Sequence, residues 1–199
     1  VHGCANSVNW TVVKRLATGS VPATLLTFLV MIQTGLAATK SGYLVTALGV
    51  VLLITSATML FRARIVDSLG HLIEGASKST ISYLTVAVGA LLGVLVTLTS
   101  VGAGAIGVTA LLVLYPRLPT VRIIGSDIAH AVPLTLVAGL GHWIFLHDID
   151  WSMLVSLLIG SIPGIAFGAW IAPRLPEAVL RILLAIVLVL VALKLFGFY

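Results

Sequence analysis

The chain has 199 residues, of which 60% are hydrophobic and only 9% charged; 11 Lys and Arg against 6 Asp and Glu give a net charge of +5. Soluble domains carry about 45–50% apolar and about 25% charged residues, and most side chains of a small soluble fold must face water, so a soluble domain is excluded and the lipid bilayer is the expected solvent. Basic residues stand at the ends of apolar runs, with no patch and no interleaved aromatics, which argues against a nucleic-acid partner.

A spanning helix needs about 20 largely apolar residues, and the chain offers them in series. The first runs from Thr11 to about Ile32, with Lys14 and Arg15 at its start, and the second covers about Tyr43–Phe61. A polar stretch with Arg62, Arg64, Asp67, Glu74 and Lys78 reads as a cytoplasmic loop, 62–80. A third helix is expected from Ile81 to about Thr99, followed by Ser100-Val101-Gly102-Ala103-Gly104 and a short apolar piece, Ala105–Tyr115, closed by Pro116. At about 1.5 Å rise per residue that piece reaches only about 17 Å, against a hydrocarbon core of about 30 Å. It is either half of a broken helix or a re-entrant arm. A loop with Arg117 and Arg122 leads to a fourth helix, Asp127–Leu146; an acidic turn, His147-Asp148-Ile149-Asp150, leads to a fifth, Trp151–Ala172; the sixth covers about Ala178–Phe198.

The chain repeats itself. Val8-Asn9-Trp10 matches Ile149-Asp150-Trp151, and Leu16, Gly19, Ser20 and Pro22 match Leu157, Gly160, Ser161 and Pro163. The small-residue ladder Gly19, Ala23, Thr27 matches Gly160, Gly164, Gly168, spaced to let helix backbones approach closely. Residues 1–61 read as the end of a first repeat and 81–199 as a second, within one transmembrane permease domain. Residues of about 83–141 have no first-copy counterpart. A complete first copy would need roughly 60 further residues upstream, and the start at Val1-His2-Gly3 fits a shortened amino terminus.

If the third helix and the short piece form a hairpin, then Lys14, Arg15, Arg62, Arg64, Lys78, Arg117, Arg122, Arg174 and Arg181 share one side, and Lys40, Lys194 and the acidic turn take the other. The basic side is then cytoplasmic and the copies are inverted, a recurrent transporter architecture. The expected fold is all-α: a polytopic helix bundle with an internal inverted repeat and one broken or re-entrant segment.

Three constellations could carry chemistry. Thr97 to Gly104 sets hydroxyls and glycines at membrane depth, where bare backbone polar groups cost several kcal/mol. A helix starting after Gly104 would aim free N–H groups and a positive dipole end at the break, which suits an anion; the plain alternative is a packing break. Thr99, Ser100, Gly102 and Gly104 are the candidate substrate residues. In Gly125-Ser126-Asp127-Ile128-Ala129-His130, Asp127 suits an interfacial N-cap, and His130 lies one turn further in on the same face. Asp127 and His130 are candidates for proton coupling or gating, or form a structural pair. A catalytic Ser126/Asp127/His130 triad is disfavoured, since neighbours on one helix do not converge on one reacting atom. Pro22 and Pro163, in the paired Gly-Ser-x-Pro motifs, and Pro133 are expected to kink their helices. His2 and His142 read as interfacial residues beside Trp10 and Trp151. The single cysteine, Cys4, excludes an internal disulfide, and the five histidines show no metal-ligand spacing, so neither metal nor cofactor is expected.

The run Gly125 to Leu134, continuing to Gly141-His142 and Asp150-Trp151, resembles the carboxyl-terminal half of the TauE/SafE-type sulfite exporter family, as does Thr99-Ser100-Val101-Gly102-Ala103-Gly104. Val1-His2-Gly3, Val8-Asn9-Trp10 and Gly19-Ser20-Val21-Pro22 resemble the end of that family's first half. The resemblance implies a multi-pass permease of the bacterial inner membrane for sulfite, sulfonates or related organosulfur anions, working by alternating access. It implies transport of a small anionic substrate rather than an enzyme. The rival from a different class is a non-transporting accessory or assembly subunit of the membrane.

Overall fold

The computed structural model describes residues 7–34, 42–73, 75–101, 103–146, 149–171, 174 and 176–197. The described chain is helical: α1 (Trp10–Thr34), α2 (Gly42–Leu60), α3 (Arg62–Ile73), α4 (Lys78–Thr99), α5 (Ala103–Leu114), α6 (Thr120–Gly141, extended by a π-helical turn, His142–Leu146), α7 (Trp151–Ile171) and α8 (Glu177–Leu195). Five helices are long and apolar enough to cross a membrane, or six if α2 and α3 count as one span bent by 77°. Pro22, Pro133 and Pro163 lie inside continuous helices and end none of them.

The repeat is visible at the helix starts. The Asn9 side-chain oxygen accepts from the Thr11 and Val12 amides, and the Asp150 carboxylate accepts from the Met153 amide. Both matched residues therefore cap the helix that follows, satisfying amides with no intrahelical partner. The matched helices α2 and α8 run antiparallel, as an inverted repeat requires: Gly49 meets Phe196 at one end, and Ser56 donates to the Ala185 carbonyl further along.

The centre of the bundle is the parallel pair α1 and α4. A side chain on Gly19 would land on the Val86 carbonyl, one on Gly89 on the Leu16 carbonyl, and one on Gly93 on the Ser20 backbone. Backbone thus lies on backbone, the contact that small residues permit in lipid. In α7 the matching Gly160, Gly164 and Gly168 meet nothing within 4 Å, and no α7 residue is buried among the described residues. The ladder packs in one copy only.

The short piece turns back along α4. Gly107 lies against Leu92, Leu111 packs in a cluster with Val88, Val12, Leu16 and Ile123, and the Tyr115 hydroxyl bonds Thr85 at 2.8 Å. Arg15 donates to the same hydroxyl at 3.1 Å. The α4–α5 hairpin therefore brings the start of α1, the start of α4 and the end of α5 to one end of the molecule, where Lys78 and Arg117 also line one cavity.

Two expectations need correction. The stretch read as a polar loop contains α3. Ile65, Leu69 and Ile73 recur every fourth residue, so they share one helix face. That face lines a groove with Thr109, Ala110 and Val113 of α5, while Arg64 and Asp67 take other faces. The fourth helix starts at Thr120, not Asp127, and Pro119 is its N-cap. Proline pre-sets the backbone for an entry there, and the polar Thr120–Ser126 stretch is helical because its buried positions face α1 and α5. Asp127 is therefore two turns inside the helix.

Candidate functional site

Two of the sequence motifs meet at the α1–α6 contact. Ser20 comes from the Gly-Ser-x-Pro of α1, and His130 from the Ser-Asp-Ile-Ala-His run of α6. A 2.8 Å hydrogen bond joins Ser20 Oγ to His130 Nε2, with the residues 0% and 1% exposed. Ser126, one turn before His130, accepts from the Asn9 amide at 2.8 Å and donates to the Arg122 carbonyl at 2.7 Å. The α6 segment is thereby tied to the cap and the middle of α1. In the second copy, Ser161 is exposed and reaches only back to the Leu158 carbonyl. Among the described residues the serine–histidine pair is thus built once.

Asp127 is 2% exposed and presses its Oδ1 towards the Cα of Gly107 on the facing α5; a side chain at Gly107 would overlap that oxygen. Among the described residues, Asp127 Oδ1 and His130 Nδ1 make no hydrogen bond. Buried polar atoms are nearly always paired, because an unpaired one costs about 1–3 kcal/mol. Two such atoms lie one helical turn apart inside α6, away from its N-cap at Pro119.

The four candidate substrate residues do not converge. Ser100 ends α4 in a left-handed conformation, φ 55°, with its amide bonded to the Val96 carbonyl at 2.8 Å. Such a turn disfavours a residue with a Cβ by about 1–2 kcal/mol, so the helix stops on a serine in a conformation that glycine adopts more readily. Ser100 lines a cavity of about 210 Å³ with Val96, Thr135, Gly139 and His142. Gly104 opens instead onto a second cavity, of about 280 Å³, with Arg62, Arg181, Thr109 and Ile124. The Thr99 hydroxyl is engaged by its own chain, donating to the Leu95 carbonyl at 2.6 Å. Gly102 lies outside the described residues.

The two cavities border different parts of α6. The first sits by the carboxyl-terminal ends of α4 and α6; the second borders the second turn of α6 and the first turns of α3 and α8. Along α6, Asp127 and His130 fall between Ile124 of one and Thr135 of the other.

Sequence reasoning did not place three residues that border these cavities. His142, read as interfacial, is half-buried: its Nε2 bonds the Thr97 carbonyl at 3.0 Å, and its ring packs edge-on against Phe28 at 5.2 Å. Thr97 is near the end of α4, where carbonyls lose their intrahelical donors, and that rule could have flagged it. Arg62 and Arg181 were counted only as topology signals, and no local pattern links them.

The profile of the family described as Sulfite exporter TauE/SafE matches residues 1–195. The chain belongs to this family. A similar protein of Bacillus subtilis (strain 168), named "Probable membrane transporter protein YjnA", is 29% identical over 199 residues, covering 98% of this chain and 76% of that protein. No solved structure matches the chain. Family membership and the apolar helices together make the chain a polytopic membrane protein of a transport family.

Proposed function

We propose that this chain is the translocating part of a secondary transporter for a small sulfur oxyanion or sulfonate, in the bacterial inner membrane. The observation that carries the reading is the buried Asp127–His130 pair of α6, which lies along that helix between residues lining two separate cavities. A carrier working by alternating access needs a site reachable from each side in turn and a group whose state changes between them. A neutral imidazole accepts a proton near physiological pH, so His130 is suited to link anion movement to proton movement, and Asp127 one turn away would sense the charge. Ser20 holds the ring in place from α1. The three side chains are fully buried among the described residues, which favours gating over attack on a substrate. The basic residues gathered at the Lys78 end support a cytoplasmic position for that end, by the positive-inside rule.

The test is flux. The protein as its gene encodes it, reconstituted in liposomes, is expected to move sulfite, thiosulfate or a sulfonate, with a rate that depends on pH. His130→Gln is expected to keep a folded protein and flatten that dependence. A folded preparation that moves none of these anions overturns the anion reading; an unchanged pH profile in His130→Gln removes the histidine from the coupling.

A further inference from the structure

At the Lys78 end of the molecule two cavities join. The larger, of about 900 Å³, is bordered by Lys78, the first residue of α4, and by Tyr115 and Arg117 just beyond the end of α5. Both cationic side chains are exposed, and among the described residues no acidic side chain lines the space. The Tyr115 hydroxyl is held between Arg15 and Thr85, so the Arg15 guanidinium stands beside the same wall. A space of this order suits a drug-sized molecule, about 300–1,000 Å³, and far exceeds a bare inorganic anion.

The smaller space, of about 320 Å³, continues from the larger one, since Ile73 and Leu114 line both. It is a groove between Ile65 and Leu69 of α3, Leu84 and Val88 of α4, and Ala110 and Val113 of α5. Its two threonines, Thr58 and Thr109, donate their hydroxyls to the Ile54 and Ala105 carbonyls of their own helices. An apolar space stays dry, and one left unfilled forfeits dispersion contacts along its walls. From Lys78 to Val88 the helix rises about 15 Å, so the groove leads from the charged helix ends into the apolar depth of the bundle. Hydrocarbon chains are the solvent at that depth.

We infer that this pair of cavities binds one anionic phospholipid. Lys78 and Arg117 face its headgroup phosphate, and one acyl chain lies in the groove between α3 and the α4–α5 hairpin. A cation near the membrane surface strengthens the attraction to such a headgroup about fivefold. Charge alone would suit a free phosphate equally; the groove that opens from the same cavity selects a lipid. The bound lipid bridges the first residue of α4 and the turn after α5, and so closes the open end of the hairpin. This site goes beyond the transport reading and does not depend on it.

The experiment is native mass spectrometry of the full-length protein in a neutral detergent, titrated with dioleoylphosphatidylglycerol or dioleoylphosphatidylcholine. The wild type is expected to bind the first phosphatidylglycerol about tenfold or more tightly than phosphatidylcholine. Lys78→Gln and Arg117→Gln are each expected to weaken phosphatidylglycerol about fivefold and leave phosphatidylcholine unchanged; Arg117→Lys keeps the wild-type value. Both side chains are exposed, so these variants are expected to fold. Ala110→Leu fills the groove and is expected to weaken both lipids, and Leu69→Gln, which is 43% exposed and safe for folding, is expected to do the same. Equal affinity of the wild type for the two lipids overturns the proposal, as does wild-type affinity for phosphatidylglycerol in the Lys78→Gln/Arg117→Gln double variant. Unchanged binding in both groove variants puts the chain elsewhere and overturns it too. Inorganic phosphate that competes with the lipid at comparable concentration would show a site for a free anion, and the lipid reading would fall.

Discussion

Replacing Ser20 by Ala removes the 2.8 Å bond to His130 Nε2 at a point where both side chains are fully buried. The cost can be bracketed. A buried polar atom left without a partner costs about 1–3 kcal/mol in soluble proteins. Inside membranes the average measured coupling across helices is nearer about 0.6 kcal/mol, with a ceiling of about 1.7, because the unfolded chain in lipid finds other partners. Here the other ring nitrogen has no hydrogen bond among the described residues, so the ring has no second anchor. The Gly93 backbone packs directly on that of Ser20, so neither can shift inwards to replace the lost bond. Both facts push the value towards the upper end: Ser20→Ala should lose about 1–2 kcal/mol, and the coupling between Ser20 and His130 should be about 1–1.7 kcal/mol. The assay is a double-mutant cycle with His130→Ala, unfolding each variant in mixed micelles with rising SDS and following helicity. A coupling below about 0.3 kcal/mol would mean that the two residues do not hold each other, and the α1–α6 link proposed for the coupling site would be wrong.

Other perturbations read different parts of the structure. Gly107→Ala should push the Asp127 carboxylate off its position; the oxygen ends a side chain and can yield, so transport is expected to fall at least tenfold while stability falls by only about 1 kcal/mol, measured by flux and SDS unfolding on the same preparation. Gly89→Val meets the Leu16 backbone, which cannot yield, so a loss of about 3 kcal/mol or failure to fold is expected, seen as reduced yield of monodisperse protein. Tyr115→Phe removes the hydroxyl shared by Arg15 and Thr85 and should lower stability by about 0.5–1.5 kcal/mol without changing the pH profile of flux.

Much of the architecture could be read from the chain. Apart from α3 and the start of α6, helix positions follow from apolar run length, and the failure of Ala105–Tyr115 to reach across the membrane forces the hairpin that the Tyr115–Thr85 bond displays. The repeat was legible because matched residues do the same local work, as the caps Asn9 and Asp150 show. Local pattern could not say that Ser20 and His130 touch, since each looks complete within its own motif and only the crossing of α1 and α6 brings them together. It also misread α3. A charge-rich stretch resembles a loop by composition, and the four-residue spacing of Ile65, Leu69 and Ile73 is the only sign of a helix. Asp127 looked like a cap because Ser and Asp favour that role, yet Pro119 had already started the helix. The four substrate candidates were chosen as neighbours in sequence. A break in the backbone separates neighbours, and Ser100 and Gly104 consequently border different cavities.

Thiol accessibility from each side of the membrane tests the account most directly. With Cys4 replaced by Ser, single Ser100→Cys and Gly104→Cys variants are labelled in right-side-out and inverted vesicles by a membrane-impermeant maleimide. The account predicts that Ser100→Cys reacts from the periplasmic face and Gly104→Cys from the cytoplasmic face. It further predicts that adding a transported anion changes the two rates in opposite directions. Labelling of both positions from one face, or rates that ignore the anion in a preparation that transports it, would contradict alternating access through these two cavities.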